Sequence, residues 1–505
     1  MASSQHLEQG TQAQDGNATG QPFGAWSAFT LGAITTNSAI GLILTYSSTI
    51  PSGGSSLLFY GYPIISIIGL SVAVTLAELT AAFPDAGGQF VWAARLSPPK
   101  PRRFLAYTTA ILSWAGAVCT GASVCQIGGE LVFELVLFLD PGFQVKSWMP
   151  FLVYHAVNIG CLLLSLFESL LPKVSTGIFV FTACLLTGLL TSLFAAPRER
   201  RSARNFFTHF ENQTGWSDGI AAMVASNSMN WCYACLDAIV HIADEIPNPR
   251  ENIPRALMWA IATGFTTGMI CILAFLFAST DYETQNSALT IVHEAFNKNI
   301  DATIAIQIFI FISAIAAMWG IHVWQSRLMW KMAENKGFPF HKHLKKIVGP
   351  PFNTPMWALL ASAAFTAILS CLNLASERAF SSLISAALLF QYLSYAIPAV
   401  LLLLHGRSKI PHGRFWFPKL GYVANVIVVA WTLVALVFYC FPYALPVRAG
   451  EMNYVSVVLC VLFVLNLIFW VAHGREHFSC SLPESVESIT SAGTDVDDFI
   501  TTESK

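Results

Sequence analysis

The chain has 505 residues, of which 54% are hydrophobic and 11% are charged, and its formal net charge is −2. Soluble globular proteins carry about 25% charged residues, so this composition argues against a soluble protein. No basic cluster interleaved with aromatic residues indicates a nucleic-acid partner.

Long apolar stretches follow one another between residues 26 and 473. A hydrocarbon core about 30 Å thick requires about 20 helical residues to cross. The stretches reach that length and lack the alternation typical of membrane strands. We therefore predict an all-α integral membrane protein with about twelve transmembrane helices, over residues 26–48, 56–83, 104–138, 149–170, 173–195, 217–242, 254–279, 301–330, 354–373, 378–404, 418–441 and 453–473.

The two ends of the chain have a different composition from this membrane domain, residues 26–473. Residues 1–25 are mostly polar and lack the charged-then-apolar order of a signal peptide. Residues 474–505 are acidic and rich in Ser and Thr. We predict that both tails are disordered.

Twelve crossings place both termini on one side of the membrane. Most of the 27 Lys and Arg residues fall in loops on that side, which predicts that it is cytoplasmic. The run from Arg198 to Arg204 is an exception on the outer side. In the same loop Asn212-Gln213-Thr214 forms a sequon, which predicts glycosylation of Asn212. We expect the protein to lie in the plasma membrane.

Two of the predicted helices contain polar residues at their centres. The first has four consecutive small polar residues, Thr35 to Ser38, and the sixth is polar at the centre of the stretch from Ser226 to Asp237. These helices begin two successive five-helix halves, as an inverted repeat requires, and discontinuous helices of this kind bind solutes with exposed backbone groups. The alternative is that Ser and Thr only mediate helix packing. The predicted substrate-binding residues are Thr35, Thr36, Asn37, Ser38, Gly41, Trp231, Tyr233 and Asp237.

Ionisable residues within spans are functional candidates because their burial in lipid is costly. His241 follows Asp237 by four residues on the same helical face, which indicates either an amine-binding or proton-coupling pair or a structural polar pair. Glu130 lies near the outer end of the third helix, where it attracts cations or is simply solvated. Glu78 lies near the inner end of the second helix and anchors the structure or a gate.

Motifs of soluble catalysis are missing from the sequence. It contains no HExxH, GxSxG or Walker motif, which argues against a metalloprotease, a serine hydrolase or an ATP-driven pump. We predict that the protein is not an enzyme and needs no cofactor or metal.

A set of short motifs, in a fixed order over about residues 25–475, resembles the fungal amino acid/choline transporter family of the amino acid–polyamine–organocation superfamily. The motifs are Asn37-Ser38, Pro51-Ser52-Gly53-Gly54, Ala77-Glu78-Leu79, residues 83–92 (FPDAGGQFVW), Ser97-Pro98-Pro99, Thr214-Gly215-Trp216, residues 237–245 (DAIVHIADE), Ile253-Pro254-Arg255-Ala256, Ser326-Arg327 and residues 336–340 (KGFPF).

This resemblance implies a permease with two inverted five-helix repeats and two additional helices. It implies a substrate site between helices 1 and 6, with helices 3 and 8 completing the walls. Gly87 and Gly88 would then lie in a loop that flexes or packs at the cytoplasmic mouth. The sequence departs from the family pattern between Trp231 and Asp237, where it lacks a glycine before the aromatic–acid pair.

The predicted function is secondary active, proton-coupled import of an amino acid or small amine by alternating access. A choline or polyamine carrier is the alternative within the same class. A nutrient receptor that signals without transport is the alternative from another class. The expected partners are the solute, the lipid bilayer and protons.

Overall fold

Helices make up nearly all of the regular structure. The computed structural model describes residues 24–197, 207, 208, 210–279, 287–448 and 452–480, and within these ranges the only β-type pairing is an isolated bridge between Val348 and Thr354. The predicted N-terminal tail, the basic run from Arg198 to Arg204 and residues 481–505 of the predicted C-terminal tail lie outside the described residues, apart from Gly24 and Ala25.

The helices follow the predicted spans closely. In chain order they are α1 (Ala25–Thr36), α2 (Ser38–Thr49), α3 (Gly54–Ala82), α4 (Gln89–Leu96), α5 (Arg102–Leu139), α6 (Trp148–Ser165), α7 (Leu171–Ala195), α8 (Asp218–Asn230), α9 (Pro249–Ala278), α10 (Ala288–Ala295), α11 (Ile300–Glu334), α12 (His341–Leu344), α13 (Met356–Ala375), α14 (Glu377–His405), α15 (Pro418–Phe438), α16 (Val455–Phe469) and α17 (Arg475–His477).

Within the described residues, eleven helical segments are long and apolar enough to cross a membrane, counting α1, α2 and the turn that follows them as one. The sixth predicted span is too interrupted to count as a single helix. It consists of α8 and two 3-10 segments, Trp231–Tyr233 and Leu236–Glu245. The roughly twelve-helix architecture predicted from the sequence is confirmed.

Large apolar side chains cover the outside of the bundle. Ile368, Leu433 and Val471 are each more than 60% exposed, as expected of side chains that face lipid tails. The interior instead contains small and polar residues at close helix contacts. Gly264 in α9, for example, lies against the Ser38 hydroxyl. The bundle therefore packs its helices through small residues and presents its apolar surface outward.

Residues 474–480 correct the prediction of a disordered C-terminal tail. After α16 the chain turns back along the inner end of the bundle, the end at which α1 begins. Phe478 is fully buried there among residues of α4 and α5, including Phe90 and Tyr107. Arg103 donates hydrogen bonds to the carbonyls of Phe478 (2.9 Å) and Gly474 (3.4 Å). Composition alone missed this docking because a single aromatic residue provides most of the contact.

Candidate functional site

The first membrane segment is broken at Asn37. Its backbone lies in the left-handed region, with φ 42° and ψ 49°, which asparagine tolerates better than most residues. The side-chain amide donates a 2.9 Å hydrogen bond to the carbonyl of Ser313 in α11, which fixes the break against that helix. The last carbonyls of α1 and the first N–H groups of α2 therefore meet at this point within the bundle.

The sixth segment is broken at Ala234 and Cys235. Ala234 is extended, with ψ 157°, and Cys235 is left-handed, with φ 67°. A left-handed non-glycine residue costs about 1–2 kcal/mol. The N–H of Cys235 donates to the side-chain oxygen of Gln391 at 3.3 Å, so α14 supports the strained turn. Cys235 occupies a conformation that suits glycine, in the stretch where the sequence lacks the family's usual glycine.

A cavity lies between the two breaks, which we call the central cavity. About 390 Å³ of atom-free space lies there, a volume that includes space open to solvent. Its walls come from α1, α2, the broken sixth segment, α5 and α11, and they are lined by Thr35, Thr36, Asn37, Ile40, Gly41, Leu44, Thr120, Val124, Ile127, Trp231, Ala234, Cys235, Ala314, Ala317 and Ile321. None of these lining residues is an Asp, Glu, His, Lys or Arg.

Five of the predicted substrate-binding residues line the central cavity: Thr35, Thr36, Asn37, Gly41 and Trp231. The hydroxyls of Thr35 and Thr36 donate to carbonyls of their own helix, at 2.6 and 2.9 Å. Because both hydroxyl hydrogens are already donated, the Oγ1 atoms of Thr35 and Thr36 can only accept a hydrogen bond from a solute. A Cβ atom on Gly41 would lie 3.3 Å from the Cα of Cys232, so glycine allows α2 to approach the sixth segment closely here.

The other three predicted substrate-binding residues lie elsewhere. Ser38 lines a second cavity, between α1, α2, α7, α9 and α11. The hydroxyl of Tyr233 hydrogen-bonds Ser66 and Tyr62, both at 2.7 Å, and so faces α3. Asp237 is fully buried below the break. Neither broken segment follows regular helical spacing at these positions. The side chains of Ser38, Tyr233 and Asp237 therefore point away from the central cavity.

Asp237 is the centre of a closed polar network. Its Oδ1 accepts a 2.8 Å hydrogen bond from Tyr395, and its Oδ2 accepts one of 2.7 Å from Gln89. The Nε2 of His241 lies 3.4 Å from the same Oδ2, and Asp237 and His241 are both inaccessible to solvent. The predicted Asp237–His241 pair is therefore formed.

The hydrogen bonds of His241 require a proton in this pair. Its Nδ1 lies 2.7 Å from the carbonyl oxygen of Ala86, which can only accept, so Nδ1 carries a hydrogen. A neutral imidazole with that hydrogen on Nδ1 presents a lone pair at Nε2 to the Asp237 carboxylate. The contact is attractive only when either His241 or Asp237 binds one further proton. The Asp237–His241 pair is thus a candidate site for a proton.

Comparison with known proteins assigns the family. Residues 23–464 match the model of an amino acid permease family. The chain belongs to this amino acid permease family. It is 42% identical to a transmembrane transporter of Metarhizium robertsii and 41% identical to the swainsonine transporter of Arthroderma benhamiae, each over 91% of this chain and 92% of the relative. It is 32% identical to the choline transporter of Saccharomyces cerevisiae, over 90% of this chain and 82% of that protein.

These matches establish a multi-pass membrane permease. The family and the named relatives are transporters rather than enzymes, which agrees with the absence of soluble catalytic motifs from the sequence. The resemblance to amino acid and choline transporters is therefore confirmed.

The inner end of the permease is closed by ion pairs. Arg327 of α11, almost fully buried, binds Glu245 at 2.9 Å, and Lys331 one turn later binds Asp244 at 2.8 Å. Glu78, predicted to anchor the structure or a gate, pairs with Arg407 at 2.9 Å. These pairs connect the sixth segment to α11, and α3 to the segment that follows α14.

The loop before α4 completes the inner closure. Gly88 has φ 53°, and a Cβ atom there would lie 3.0 Å from the Cε1 of His241, so both backbone strain and contact favour glycine. Gly87 donates its N–H to Asp85 at 2.8 Å. Burial raises the pKa of the Asp85 carboxyl, and nearby Lys331 opposes the shift. The predicted Gly87-Gly88 loop thus packs directly on the Asp237–His241 pair.

The outer end of the permease is more open. A vestibule there encloses about 610 Å³ of atom-free space and is lined by Glu130 and Glu134 among others. Leu44 and Ile127 line both this vestibule and the central cavity, so they form the partition between the two. Glu130 accepts a 3.2 Å hydrogen bond from Gln126, in agreement with its predicted place near the outer end of the third helix.

The sequon loop packs on the outer surface of the permease. The Asn212 amide donates to the carbonyl of Trp216 at 2.7 Å, and Thr214 donates to the Asn212 Oδ1 at 2.6 Å. These bonds give Asn212 a structural role in the turn. Its glycosylation stays a prediction.

Three functional candidates were missed by the sequence reasoning: Thr120, Gln391 and Tyr395. All are uncharged polar residues in long apolar helices, where such residues also serve packing. Asp237 was predicted from its charge, but its contact with Tyr395 of α14 is visible only in the folded bundle.

Proposed function

We propose that this permease imports an amino acid or small amine by secondary active transport and binds it in the central cavity. The observation that carries the proposal is a cavity between two membrane segments that are both broken beside it, at Asn37 and Cys235. Broken helices are the usual means by which transporters bind charged solutes near the membrane centre. Relatives named for choline, swainsonine and amino acids support this class of solute.

The cavity neutralises solute charge with peptide dipoles, because its lining has no acidic or basic side chain. The carbonyl end of α1 at Thr36 attracts an ammonium group, and the N–H end of α2 at Ser38 attracts a carboxylate. The ring of Trp231 adds a face that attracts cations. Apolar side chains such as Val124 and Ile321 limit the size and shape of the carbon frame.

Transport then proceeds by alternating access. The described conformation is closed on the inner side by the Arg327–Glu245 and Lys331–Asp244 pairs. On the outer side only the partition of Leu44 and Ile127 separates the cavity from the vestibule. Opening inward requires the ion pairs to separate and the loop before α4 to move. We take the inner side to be the cytoplasm and the membrane to be the plasma membrane, as the distribution of Lys and Arg predicts.

Proton coupling is assigned to the Asp237–His241 pair. The pair holds an exchangeable proton, lies in the same broken segment as the cavity wall, and contacts the inner loop through Gln89 and Ala86. A proton that arrives or leaves here therefore acts on both the solute site and the inner closure.

The experiment is uptake by the full-length protein in proteoliposomes, with radiolabelled choline, γ-aminobutyrate and a panel of amino acids at two external pH values. Accumulation of one of these solutes, increased by an inward proton gradient, is the expected result. Trp231→Ala should raise the KM of a cationic solute by about tenfold, since a desolvated cation–π contact is worth about 1–2 kcal/mol.

Trp357→Ala is the matched control, because Trp357 is 51% exposed on the outside of the bundle. An equal effect of the two substitutions would remove Trp231 from the solute site. Binding of a solute without any accumulation would favour a receptor over a carrier.

A further inference from the structure

Tyr395 of α14 lies between the proton-binding pair and the wall of the central cavity. Its Oη is 2.8 Å from the Oδ1 of Asp237 and 3.4 Å from the Oε1 of Gln391. A phenol has a single hydrogen, so Tyr395 donates to one of these acceptors at a time. The ring is only 4% exposed, so water does not replace either partner.

Gln391 connects this choice to the cavity. Its Oε1 also accepts the N–H of Cys235 at 3.3 Å, and its amide donates to the Thr120 hydroxyl at 2.9 Å. Cys235 and Thr120 both line the central cavity, the first in the sixth segment and the second in α5. A change in the hydrogen bonds of Gln391 therefore alters its contacts with both the left-handed turn of the sixth segment and α5.

The position of the bound proton decides which acceptor Tyr395 uses. The Oδ2 of Asp237 already faces the Gln89 amide and His241, whereas Oδ1 faces only Tyr395. When His241 already carries the first proton, a second proton binds to Asp237 at Oδ1, the oxygen that faces neither Gln89 nor His241. Asp237 then becomes the donor in this contact, and Tyr395 must accept from it and turn its own hydrogen to Gln391. The step adds one proton and breaks no covalent bond.

We propose that Tyr395 is a positioning residue that couples protonation of Asp237 to solute binding by transferring its single hydrogen bond from Asp237 to Gln391. The inference rests on the proposed function, since it joins the assigned proton site to the assigned solute site. It predicts that solute affinity depends on pH through Tyr395.

The other titratable groups around this contact are either neutral or already paired. Cys235 lies beside Asp237, and Tyr392 lies one turn before Tyr395 with its hydroxyl bonded to Asn230 at 2.9 Å. Helices α3 and α11 pack against the sixth segment, and their charged groups belong to the inner ion pairs. These pairs are Glu78 with Arg407, Arg327 with Glu245 and Lys331 with Asp244. Asp85 is 3.8 Å from the same lysine.

The test measures the KM of uptake across a range of external pH, with full-length protein in proteoliposomes and radiolabelled choline or γ-aminobutyrate as the probe. In the wild type we expect the KM to change by at least about fivefold over the titration, the lower range of coupling between two sites. Tyr395→Phe should reduce this change to less than about twofold while the protein still transports.

Tyr392→Phe is the matched control, since it removes a buried hydroxyl from the same helix without touching Asp237 or Gln391. It should keep the pH dependence of the wild type. Gln391→Met supplies a second, independent variant: it removes the alternative acceptor, leaves the bond between Tyr395 and Asp237, and should also flatten the KM profile.

If the KM of Tyr395→Phe depends on pH as the wild type does, the coupling role of Tyr395 is overturned. If Tyr395→Phe does not transport, the same result in Gln391→Met overturns it. Uptake of neither probe by the wild type is a different result, which overturns the assigned solute class and this inference with it. A flat profile in the wild type overturns the inference while leaving solute transport intact.

Discussion

At the scale of single residues, the environment of each polar group decides its role. Asp237 has the charge expected of a solute ligand, yet its two oxygens are occupied by Tyr395 and Gln89, and solvent does not reach it. The lining of the cavity instead depends on Trp231 and on backbone groups at the breaks. A buried carboxylate whose two oxygens already accept hydrogen bonds from the protein is poorly placed to bind a passing solute.

We predict that Asp237→Asn abolishes the increase in uptake caused by a proton gradient. The amide keeps the size of the side chain but cannot bind and release the proton of the pair. Exchange of internal for external labelled solute needs no net proton movement, so it should persist in this variant. Its rate should stay within about threefold of the wild type, because a small change away from the cavity wall costs under about 1 kcal/mol. The matched control is Asp301→Asn at the exposed start of α11. A gradient response retained by Asp237→Asn would contradict the proton site.

Cys235 provides a second residue-scale prediction. At its φ of 67° an alanine keeps the left-handed strain, whereas a glycine removes it. Cys235→Gly should therefore be more stable than Cys235→Ala by about 1 kcal/mol, the reverse of their order within an ordinary helix. The measurement is the midpoint of thermal unfolding of the two purified variants in detergent. A higher midpoint for the alanine variant would show that the turn is not strained.

At the scale of secondary-structure elements, the breaks depend on close approach as much as on polar sequence. The first segment turns at one asparagine and is fastened to α11 through the bond from Asn37 to Ser313. The α2 half then approaches the sixth segment where Gly41 faces Cys232. The two halves of the first segment are thus held by different neighbours, which is the arrangement that lets one half move relative to the other.

We predict that Gly41→Val impairs solute binding. Its Cβ would lie 3.3 Å from the Cα of Cys232, and its methyl groups would enter the space beside Trp231. Overpacking of this kind costs about 1–3 kcal/mol, which corresponds to a KM raised about tenfold or more. Gly160→Val, in α6 with no atom near its Cβ position, is the control and should transport normally. Unchanged uptake by Gly41→Val would place the solute elsewhere.

At the scale of the whole molecule, the two ends of the bundle differ in how they are closed. The outer partition consists of two apolar side chains, whereas the inner closure combines ion pairs, the loop before α4 and the docked residues 474–480. Phe478 packs against Phe90 of α4 in a fully buried cluster. The C-terminal segment therefore packs on the closed inner end of the bundle.

We predict that Phe478→Ala releases this segment and exposes Cys480. Burial raises the pKa of the Cys480 thiol to about 12, which slows its reaction with a maleimide at neutral pH. Loss of the buried ring costs about 3–5 kcal/mol of docking, so labelling of Cys480 should accelerate by at least about tenfold. The Phe478→Ala, Cys480→Ser double variant gives the background from other cysteines. Equal labelling rates with and without Phe478 would contradict the docking.

Much of the architecture follows from the sequence because the bilayer imposes simple rules. Runs of about 20 apolar residues must be helical, so the number of spans and most of their limits were predicted. An interruption was also predicted in each of the two segments, from Thr35 to Ser38 and within Ser226 to Asp237, but the second break lies at Ala234 and Cys235, after the polar residues of α8. The Asp237–His241 pair followed from helical spacing.

Only the tertiary structure decided which side chains face the cavity. The 3-10 turn Trp231–Tyr233 and the left-handed Cys235 after it interrupt the regular helical spacing, so Tyr233 faces α3 and Asp237 faces α14, although helical periodicity predicted both at the solute site. The partners Gln89, Gln391 and Tyr395 come from sequence-distant elements whose polar residues look like packing residues when read alone. Composition fixes where a chain crosses the membrane because lipid solvation acts on each segment separately, whereas a site depends on how the segments are oriented against one another.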